Sequence, residues 1–473
     1  MRAGAGSGGV STDPYGNVYI TGETQSEVDI STSGAYQTSL RGIQNVYIAK
    51  FNTNGNIIWA TYFGGNGIEY ANAIKTDADG NVFIDGLSES DSGIATTGAY
   101  QKALSGVRDA LIAKFSEMGI LIWATYFGGT RSEQATDLSI DNKGNVYIAG
   151  ETESEDGIAT SGAFQTKKGS ETNGFISKFN NGGKLLWSTY YGGNFDCNGL
   201  RIKNDQLGNV FIACQTYGSH SLTTKGAFQS YYGGGANDAI ITKFDSVGNQ
   251  IWATYYGGDG YDMPTSICTD LTGNVYFTGL TTSSQGIATL GSYQTFYAGN
   301  SDIFIAKFTN AGSLVWSTYY GGTSDDQSFG LIIDHSNNLF VSGGTTSRSG
   351  ITTKYEYQSN YAATYGESFL AKFDRFGKLL RGTYYGGDCN QFVNGICADT
   401  TGAIYLTGIT CSKNGIATSG AFETSLTDPP QSCFLAKFFI KTFKYDAGIL
   451  NSTVADTVCK VFQRMSAGIV IKN

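Results

Sequence analysis

Residues 59–65 read Trp59-Ala60-Thr61-Tyr62-Phe63-Gly64-Gly65, and the segment begins nine residues after Lys50. Every tryptophan of the chain follows a Lys-Phe pair at this spacing: Trp59, Trp123, Trp187, Trp252 and Trp316. The lysines themselves recur every 64 or 65 residues: Lys50, Lys114, Lys178, Lys243, Lys307, Lys372 and Lys437. Seven copies of one sequence repeat therefore organise the chain.

Each copy reads as four short strands, which in the second copy span about residues 71–76, 82–86, 110–115 and 120–127. Asp77 with Gly80 three residues later predicts a hairpin turn between the first two strands, because the carboxylate accepts backbone N–H bonds and glycine tolerates a positive φ. Apolar runs such as Ile120-Leu121-Ile122-Trp123 do not alternate, which indicates strands buried on both faces.

A four-stranded sheet that is buried on both faces must pack between neighbours, and a closed ring leaves no end sheet exposed. The sequence therefore predicts an all-β fold, a seven-bladed β-propeller over residues 1–440 with the first strand of each blade innermost. A β-helical solenoid is the structural alternative, but its coils are much shorter than this repeat.

Two copies depart from the pattern. The sixth has Arg381 in the tryptophan position, and in the seventh that position falls at Asp446, where the motif is lost. We expect blade one to be complete within residues 3–63 and blade seven to lack a regular outer strand. In the other blades we expect the tryptophans to anchor the outer strand against the adjacent sheet.

Composition narrows the function. The 473 residues carry a formal charge of −9 and no cluster of Lys or Arg, which disfavours nucleic acid as a partner. No run of about 20 apolar residues is present and the first residues do not resemble a signal peptide. Because Met1 falls inside the repeat pattern, we expect the chain to be part of a longer multidomain protein.

The repeated segments Trp-Ala-Thr-Tyr-Phe-Gly-Gly, Asp-x-x-Gly-Asn-Val-Tyr-Ile, Gly-Ala-Tyr-Gln and Ala-Lys-Phe closely resemble the bacterial β-propeller repeat family known as SBBP. The resemblance covers about residues 3–439. It implies an exported or surface-attached bacterial protein. The family brings no catalytic residues that could be assigned to this sequence.

The tail, residues 441–473, differs from the repeats. Its segments Lys444-Tyr445-Asp446-Ala447-Gly448-Ile449 and Ile469-Val470-Ile471-Lys472-Asn473, with Cys459 between them, resemble the opening strands of immunoglobulin-like modules in large secreted proteins of the Bacteroidetes. The tail is either the truncated start of a second β domain or a segment that closes blade seven.

An aromatic residue recurs in the loop between the second and third strands: Tyr36, Tyr100, Phe164, Phe228, Tyr293, Tyr357 and Phe422. These seven side chains could form a binding rim for sugars or peptides. Because packing must repeat in every blade whereas a ligand contact need not, we interpret them as core residues.

The first position of the innermost strand is mostly acidic: Ala5, Glu69, Glu133, Cys197, Asp262, Asp326 and Gln391. Glu69, Glu133, Asp262 and Asp326, with Asp196 and Asp325 beside this position, could form a carboxylate collar that holds calcium in the central channel. In the alternative, each carboxylate caps the Gly-Gly turn beside it.

Other motifs carry little chemistry. The run Asp77-Ala78-Asp79-Gly80-Asn81 lacks the ligand spacing of a calcium loop and is interpreted as a turn. His220 and His335 occupy unrelated repeat positions, so neither a catalytic triad nor a histidine metal site is indicated. We assign no catalytic residues.

Two cysteine pairs flank first hairpins. Cys389 lies ten residues before Asp399 and Cys411 nine residues after Gly402, so a hairpin about this turn brings them face to face. Cys197 and Cys214 flank the equivalent turn of copy four with a slight offset. We predict a Cys389–Cys411 disulfide and, as the weaker candidate, Cys197–Cys214.

The sequence thus favours a non-enzymatic extracellular or cell-surface propeller that serves as a scaffold or as a glycan- or protein-binding adhesion module. The alternative is a carbohydrate-active enzyme or lyase with a carboxylate site in the central funnel. Unrepeated polar and aromatic side chains at one channel mouth would favour the enzyme, and an evenly repeated mouth would favour the scaffold.

Overall fold

In a computed structural model of the chain, seven separate sheets of four antiparallel strands form a β-propeller. The structure describes residues 7–194, 196–218, 222–354, 356–418, 421 and 432–439, together with the backbone of 468–471. The first blade is built entirely from residues 7–63, so the prediction of a complete blade one is confirmed.

The strands are numbered in chain order, four to a blade. The first strands are β1 (Ser7–Thr12), β5 (Glu69–Thr76), β9 (Glu133–Ile140), β13 (Cys197–Asn204), β17 (Asp262–Thr269), β21 (Asp326–Ile333) and β25 (Gln391–Ala398). The second strands are β2 (Val18–Thr24), β6 (Val82–Ser88), β10 (Val146–Thr152), β14 (Val210–Thr216), β18 (Val275–Thr281), β22 (Leu339–Thr345) and β26 (Ile404–Thr410).

The third strands are β3 (Asn45–Phe51), β7 (Asp109–Phe115), β11 (Asn173–Phe179), β15 (Asp238–Phe244), β19 (Asp302–Phe308), β23 (Glu367–Phe373) and β27 (Ser432–Phe438). The fourth strands are β4 (Ile57–Phe63), β8 (Leu121–Phe127), β12 (Leu185–Tyr191), β16 (Gln250–Tyr256), β20 (Leu314–Tyr320), β24 (Leu379–Tyr385) and β28 (Gly468–Ile471). Within each blade the four strands are adjacent in chain order, and neighbouring first strands contact one another around the central channel.

The hydrophobic core lies between blades rather than within one. The second and third strands are almost wholly buried, as the non-alternating sequence predicts. One core cluster joins Val46 and Phe63 of the first blade to Ile74, Ile84 and Leu111 of the second. Six similar clusters fill the rest of the ring, so each blade is stabilised by both of its neighbours.

The lysine–tryptophan spacing has a geometric cause. Lys50 on β3 pairs across the hairpin with Trp59 on β4. Both side chains reach the next blade, where Lys50 Nζ donates to the Glu117 carbonyl at 3.1 Å and Trp59 Nε1 donates to it at 2.9 Å. The predicted anchoring of outer strands by tryptophan is therefore confirmed. In blade seven, Lys437 Nζ donates to the Thr53 carbonyl at 3.2 Å and closes the ring.

The loop between the second and third strands protects the outer edge of the blade. In blade one, Thr32 N donates to the Ala60 carbonyl and Tyr62 N donates to the Gln37 carbonyl, so the loop lies along the exposed edge of β4. The same bonds recur in blades two to six. An unpaired edge strand is prone to intermolecular pairing, and this loop covers it.

The prediction that the loop aromatics are core residues is wrong. Tyr36 packs on Phe63 of its own blade and Phe115 of the next, with ring centroids 6.4 and 6.0 Å apart. The six described members are not core residues, however, because 41% to 50% of each side chain is exposed at the outer perimeter. A loop that covers an edge strand from outside leaves one face of its aromatic in solvent. Phe422 lies outside the described residues.

Blade seven was predicted to lack a regular outer strand, and the structure differs. Its fourth strand is present, since β28 pairs with β27 from Cys433↔Ile471 to Ala436↔Gly468. The strand has four residues where the others have seven, and the tail rather than a tryptophan motif supplies it. The tail segments of residues 444–449, Cys459 and residues 472–473 lie outside the described part of the chain.

Candidate functional site

The four carboxylates predicted to form a channel collar lie between the blades. Glu69, Glu133, Asp262 and Asp326 are each fully buried at the start of a first strand, and none lines the channel. Each accepts a hydrogen bond from the second glycine of the preceding Gly-Gly pair at 2.7 to 3.0 Å: Gly65, Gly129, Gly258 and Gly322. Hydroxyl groups of the second strand and the loop after it complete the set, as in Ser88 on Glu69.

The calcium collar is therefore not formed, and the turn-capping alternative describes the geometry. The reason is that side chains at this position point between blades, towards backbone donors, rather than into the channel. Among the described residues, no group of three His, Cys, Asp or Glu side chains is arranged to hold a metal ion. His335 is exposed in a hairpin turn, and His220 lies outside the described residues.

At three blade interfaces the capping carboxylate faces a second buried carboxylate from the third strand of the previous blade. The pairs are Asp109 with Glu133, Asp238 with Asp262, and Asp302 with Asp326. Burial raises the pKa of Asp238 to about 7 and that of Asp302 to about 6, and the negative charge of the facing carboxylate contributes to both shifts. Asp238 Oδ1 has no hydrogen-bond partner.

Another copy of the repeat shows how an amide fits the same position. Asn45 Oδ1 accepts from Gln37 Nε2 and Arg41 N, as Asp238 Oδ2 accepts from Gln229 Nε2 and Gly233 N. Asn45 Nδ2 then donates to Glu69 at 2.9 Å, on the side where Asp238 Oδ1 is unpartnered. An amide at this position therefore donates a hydrogen bond to the capping carboxylate, which an ionised carboxylate cannot do.

We expect Asp238→Asn to stabilise the protein at pH 8 by about 2 kcal/mol. Because the pKa of Asp238 is raised on folding, the folded state gains stability as the pH falls from about 7 towards the unfolded value near 4, and lacks that contribution above 7. Denaturant titrations at about pH 5 and about pH 8 measure the free energy of unfolding, and the variant should lose this pH dependence.

The matched control is Asp245→Asn in the same blade. Asp245 is an exposed turn residue whose pKa is lowered by hydrogen bonds from Asn249 and Val247, so its substitution should not stabilise the protein at pH 8. A destabilised Asp238→Asn variant would show that the interface does not accept the amide arrangement of Asn45.

The central channel is a cavity of about 710 Å³ lined by all seven first strands. Its charged side chains are not repeated around the ring, since the four among the described lining residues, Lys75, Asp137, Arg201 and Lys203, lie in blades two to four. Blades two to five contribute Asn72, Lys75, Gln134, Thr136, Asp137, Arg201, Lys203 and Ser266. The facing blades contribute the polar Ser11, Thr12 and Asn394 beside small or apolar residues such as Gly9, Ile332 and Gly395, with Phe329 as the one aromatic among the described lining residues. The charge of the described channel wall is therefore confined to one side.

Two of the four charged lining residues hold neighbouring strands together. Arg201 Nε donates to the Thr265 carbonyl at 2.7 Å, which ties β13 to β17. Asp137 Oδ2 accepts from Ile202 N at 3.0 Å, and its other oxygen accepts from Leu138 N. Asp137 is the one carboxylate among the described lining residues, and both of its oxygens are occupied by backbone donors.

The other two, Lys75 and Lys203, make neither a salt bridge nor a hydrogen bond with a described residue. Burial lowers the pKa of Lys203, and the charge of Lys75 lowers it further. Neither lysine was predicted from the sequence, because the predictions rested on positions that repeat. The available signal was the reverse, namely charges that occur in one or two first strands and nowhere else at that position.

Both predicted cysteine pairs are joined in the structure. The Cα atoms are 5.4 Å apart in Cys389–Cys411 and 5.6 Å apart in Cys197–Cys214. Cys268, Cys397 and Cys433 are free thiols. Whether the purified protein carries the two bonds stays a prediction, which is developed in the Discussion.

Comparison with known proteins supports the repeat assignment. Two segments, residues 122–157 and 251–285, match the family SBBP, described as a beta-propeller repeat. Each segment runs from a fourth strand through the first hairpin of the next blade. Among the described residues, no helix could cross a membrane.

Curated relatives are distant. The chain is 21% identical to an uncharacterized WD repeat-containing protein of Acanthamoeba polyphaga mimivirus, with 78% of this chain and 32% of that protein covered. It is 20% identical to the regulatory protein FlaEY of Caulobacter vibrioides, with 68% and 35% covered. The chain thus spans about a third of the length of these relatives.

Similar solved structures are also distant. The polysaccharide lyase Uly1 is 9% identical, with 88% of each chain covered and a TM-score of 0.47. The hydrazine synthase of Kuenenia stuttgartiensis is also 9% identical, with 86% of this chain and 94% of that chain covered and a TM-score of 0.46. At this level of likeness no activity can be transferred.

Proposed function

We propose that the chain is a non-enzymatic ligand-binding or adhesion module, exported to the cell surface or beyond it, whose ligand site is the central channel. The observation that carries the proposal is the one-sided charge of the channel lining. A purely structural ring would repeat the same inner residues in every blade, whereas here the charged residues among the described lining lie only in blades two to four.

The size and chemistry of the channel suit a small polar ligand or the end of a glycan or peptide. A volume of about 710 Å³ lies within the range of ordinary ligand sites. The amides of Asn72 and Gln134 and the hydroxyl of Ser266 can exchange hydrogen bonds with a ligand, and Phe329 offers an apolar face. The channel carboxylate Asp137 is already satisfied by backbone donors, which favours binding over acid–base catalysis.

Two observations support export. The structure joins two cysteine pairs, and disulfides persist mainly in oxidising compartments. Residues 122–157 and 251–285 match the SBBP repeat, and the family resemblance implies an exported or surface-attached bacterial protein. Bacterial origin and surface location are part of the proposal.

A glycan and peptide array probed with the purified propeller tests the function. We expect a ligand class that the wild-type protein retains and that Gln134→Trp no longer binds, because an indole at this position would fill the channel mouth. Lys184→Trp, on an exposed turn, is the control for an added aromatic and should leave the array pattern unchanged. Array signals that persist in Gln134→Trp would contradict the assignment of the channel as the site.

A second candidate is a carbohydrate-active lyase. The observation that favours it is the position of Lys203 on the channel wall, without a hydrogen-bond partner among the described residues and with a pKa that burial lowers, since an amine that loses its proton can act as a general base. Incubation with polyuronates, followed by the ultraviolet absorbance of unsaturated products, tests it. Product formation that is lost in Lys203→Gln would establish the enzyme and overturn the non-enzymatic proposal.

A further inference from the structure

Lys75 and Lys203 lie at the same level of the channel. Lys75 is the seventh residue of β5 and Lys203 the seventh residue of β13, two blades further round the ring. Both line the channel and are partly exposed to it, and neither has a hydrogen-bond or salt-bridge partner among the described residues. Two unpaired ammonium groups therefore share one enclosed space.

No group at this level offsets their charge. The equivalent positions of the other blades hold Ser11, Ser139, Cys268, Ile332 and Cys397. Burial raises the pKa of both Cys268 and Cys397 to about 12, so neither thiol becomes a thiolate at neutral pH. The remaining wall is uncharged.

The charges at neighbouring levels do not reverse the balance. Arg201 adds a third positive charge and Asp137 a negative one. Asp85 lies buried behind β5, and its pKa is raised well above the ordinary value by burial and then by Asp137. Even with Asp85 counted as a second anion, the three cations exceed the two carboxylates by one charge, in a chain whose net charge is −9.

A pair of like charges in a confined and partly desolvated space destabilises the folded state unless a counter-charge enters. The same two ammonium groups can donate up to three hydrogen bonds each to one oxyanion. We infer that the channel binds a ligand through an oxyanion group, carboxylate or phosphate, held between Lys75 and Lys203. The inference rests on the proposed function, because it names the ligand class of that same channel.

Isothermal titration calorimetry with three probes tests the inference: trigalacturonate, glucose 6-phosphate and neutral maltotriose. We expect at least one anionic probe to bind about tenfold or more tightly than maltotriose in low salt, and to weaken as ionic strength rises. Which of the two binds identifies the oxyanion. Lys75→Gln and Lys203→Gln should each weaken that binding about tenfold or more, whereas Lys102→Gln, an exposed loop lysine, should change it less than about twofold.

Both channel variants should fold, because each removes a charge that has no partner; an unchanged or raised denaturation midpoint for Lys203→Gln checks this. Failure of both anionic probes to bind at low salt would overturn the anion site, even if the array finds a ligand in the channel. Equal binding of maltotriose and trigalacturonate, unaffected by either lysine variant but abolished by Gln134→Trp, would also overturn it while leaving the channel as the ligand site.

Discussion

Trp123→Ala is expected to lower the free energy of unfolding by about 3–5 kcal/mol. The indole is 8% exposed, packs in the core between blades two and three, and donates from Nε1 to the Asn181 carbonyl at 2.9 Å. The substitution thus leaves a cavity at a blade interface and a carbonyl without its donor. Equilibrium unfolding in guanidinium chloride measures the loss as a lower midpoint at similar slope.

The turn that receives the indole offers a matched pair of controls. Gly183 has φ +79°, and a Cβ there would lie 2.9 Å from Trp123 Cδ2, so Gly183→Ala should also destabilise the protein. At the adjacent Gly182, the nearest atom to a Cβ is 3.5 Å away, and Gly182→Ala should be neutral within about 0.5 kcal/mol. A loss under about 1 kcal/mol for Trp123→Ala would mean that the indole does not anchor the blades.

The tryptophans are not equivalent, which the sequence could not show. Trp187 occupies the same repeat position and donates to the Ser246 carbonyl at 3.2 Å, but it is more exposed than the other four. The cost predicted for a fully buried indole therefore does not apply to it, and Trp187→Ala should destabilise less than Trp123→Ala. Burial depends on residues of the next blade, and these vary between copies.

Repetition explains how much of the fold could be predicted. A contact made in every blade leaves a residue in every copy, so the lysine and tryptophan positions predicted the blade number and the anchoring of each outer strand. The loop aromatics were assigned to the core on the same reasoning. That inference failed because a contact can repeat at the perimeter, where Tyr36 has one face on Phe63 and the other in solvent.

The residues of the candidate site, unlike those of the fold, lie at positions that do not repeat. The repeated acidic position, as at Glu69, caps turns between the blades, whereas the channel is distinguished by Lys75 and Lys203, which have no counterparts in the other copies. Which side chains of a first strand face the channel depends on its twist and on the bulge in its pairing with the second strand, as between Ala71 and Ala73. Neither feature can be derived from the repeat alone.

The second large effect concerns the disulfides. Reduction of Cys389–Cys411, which spans 22 residues, is expected to cost about 3 kcal/mol, and Cys197–Cys214, which spans 17, should cost about as much. In blade seven the bond joins the two strands of the first hairpin just beyond their last pair, Gln391↔Thr410. This blade has the shortest outer strand, so a constraint on its inner hairpin helps to hold the ring closed.

Mass spectrometry of non-reduced peptides from exported protein should find both linked pairs, with the buried free thiol of Cys433 alkylated only after unfolding. A reductant should lower the unfolding midpoint of the wild-type protein. The double variant Cys389→Ser, Cys411→Ser should have a lower unfolding midpoint than the wild-type protein before reduction. A reductant should lower that midpoint by less, since only Cys197–Cys214 remains to be reduced. Free thiols at all four positions would contradict both disulfides and remove the strongest structural support for export.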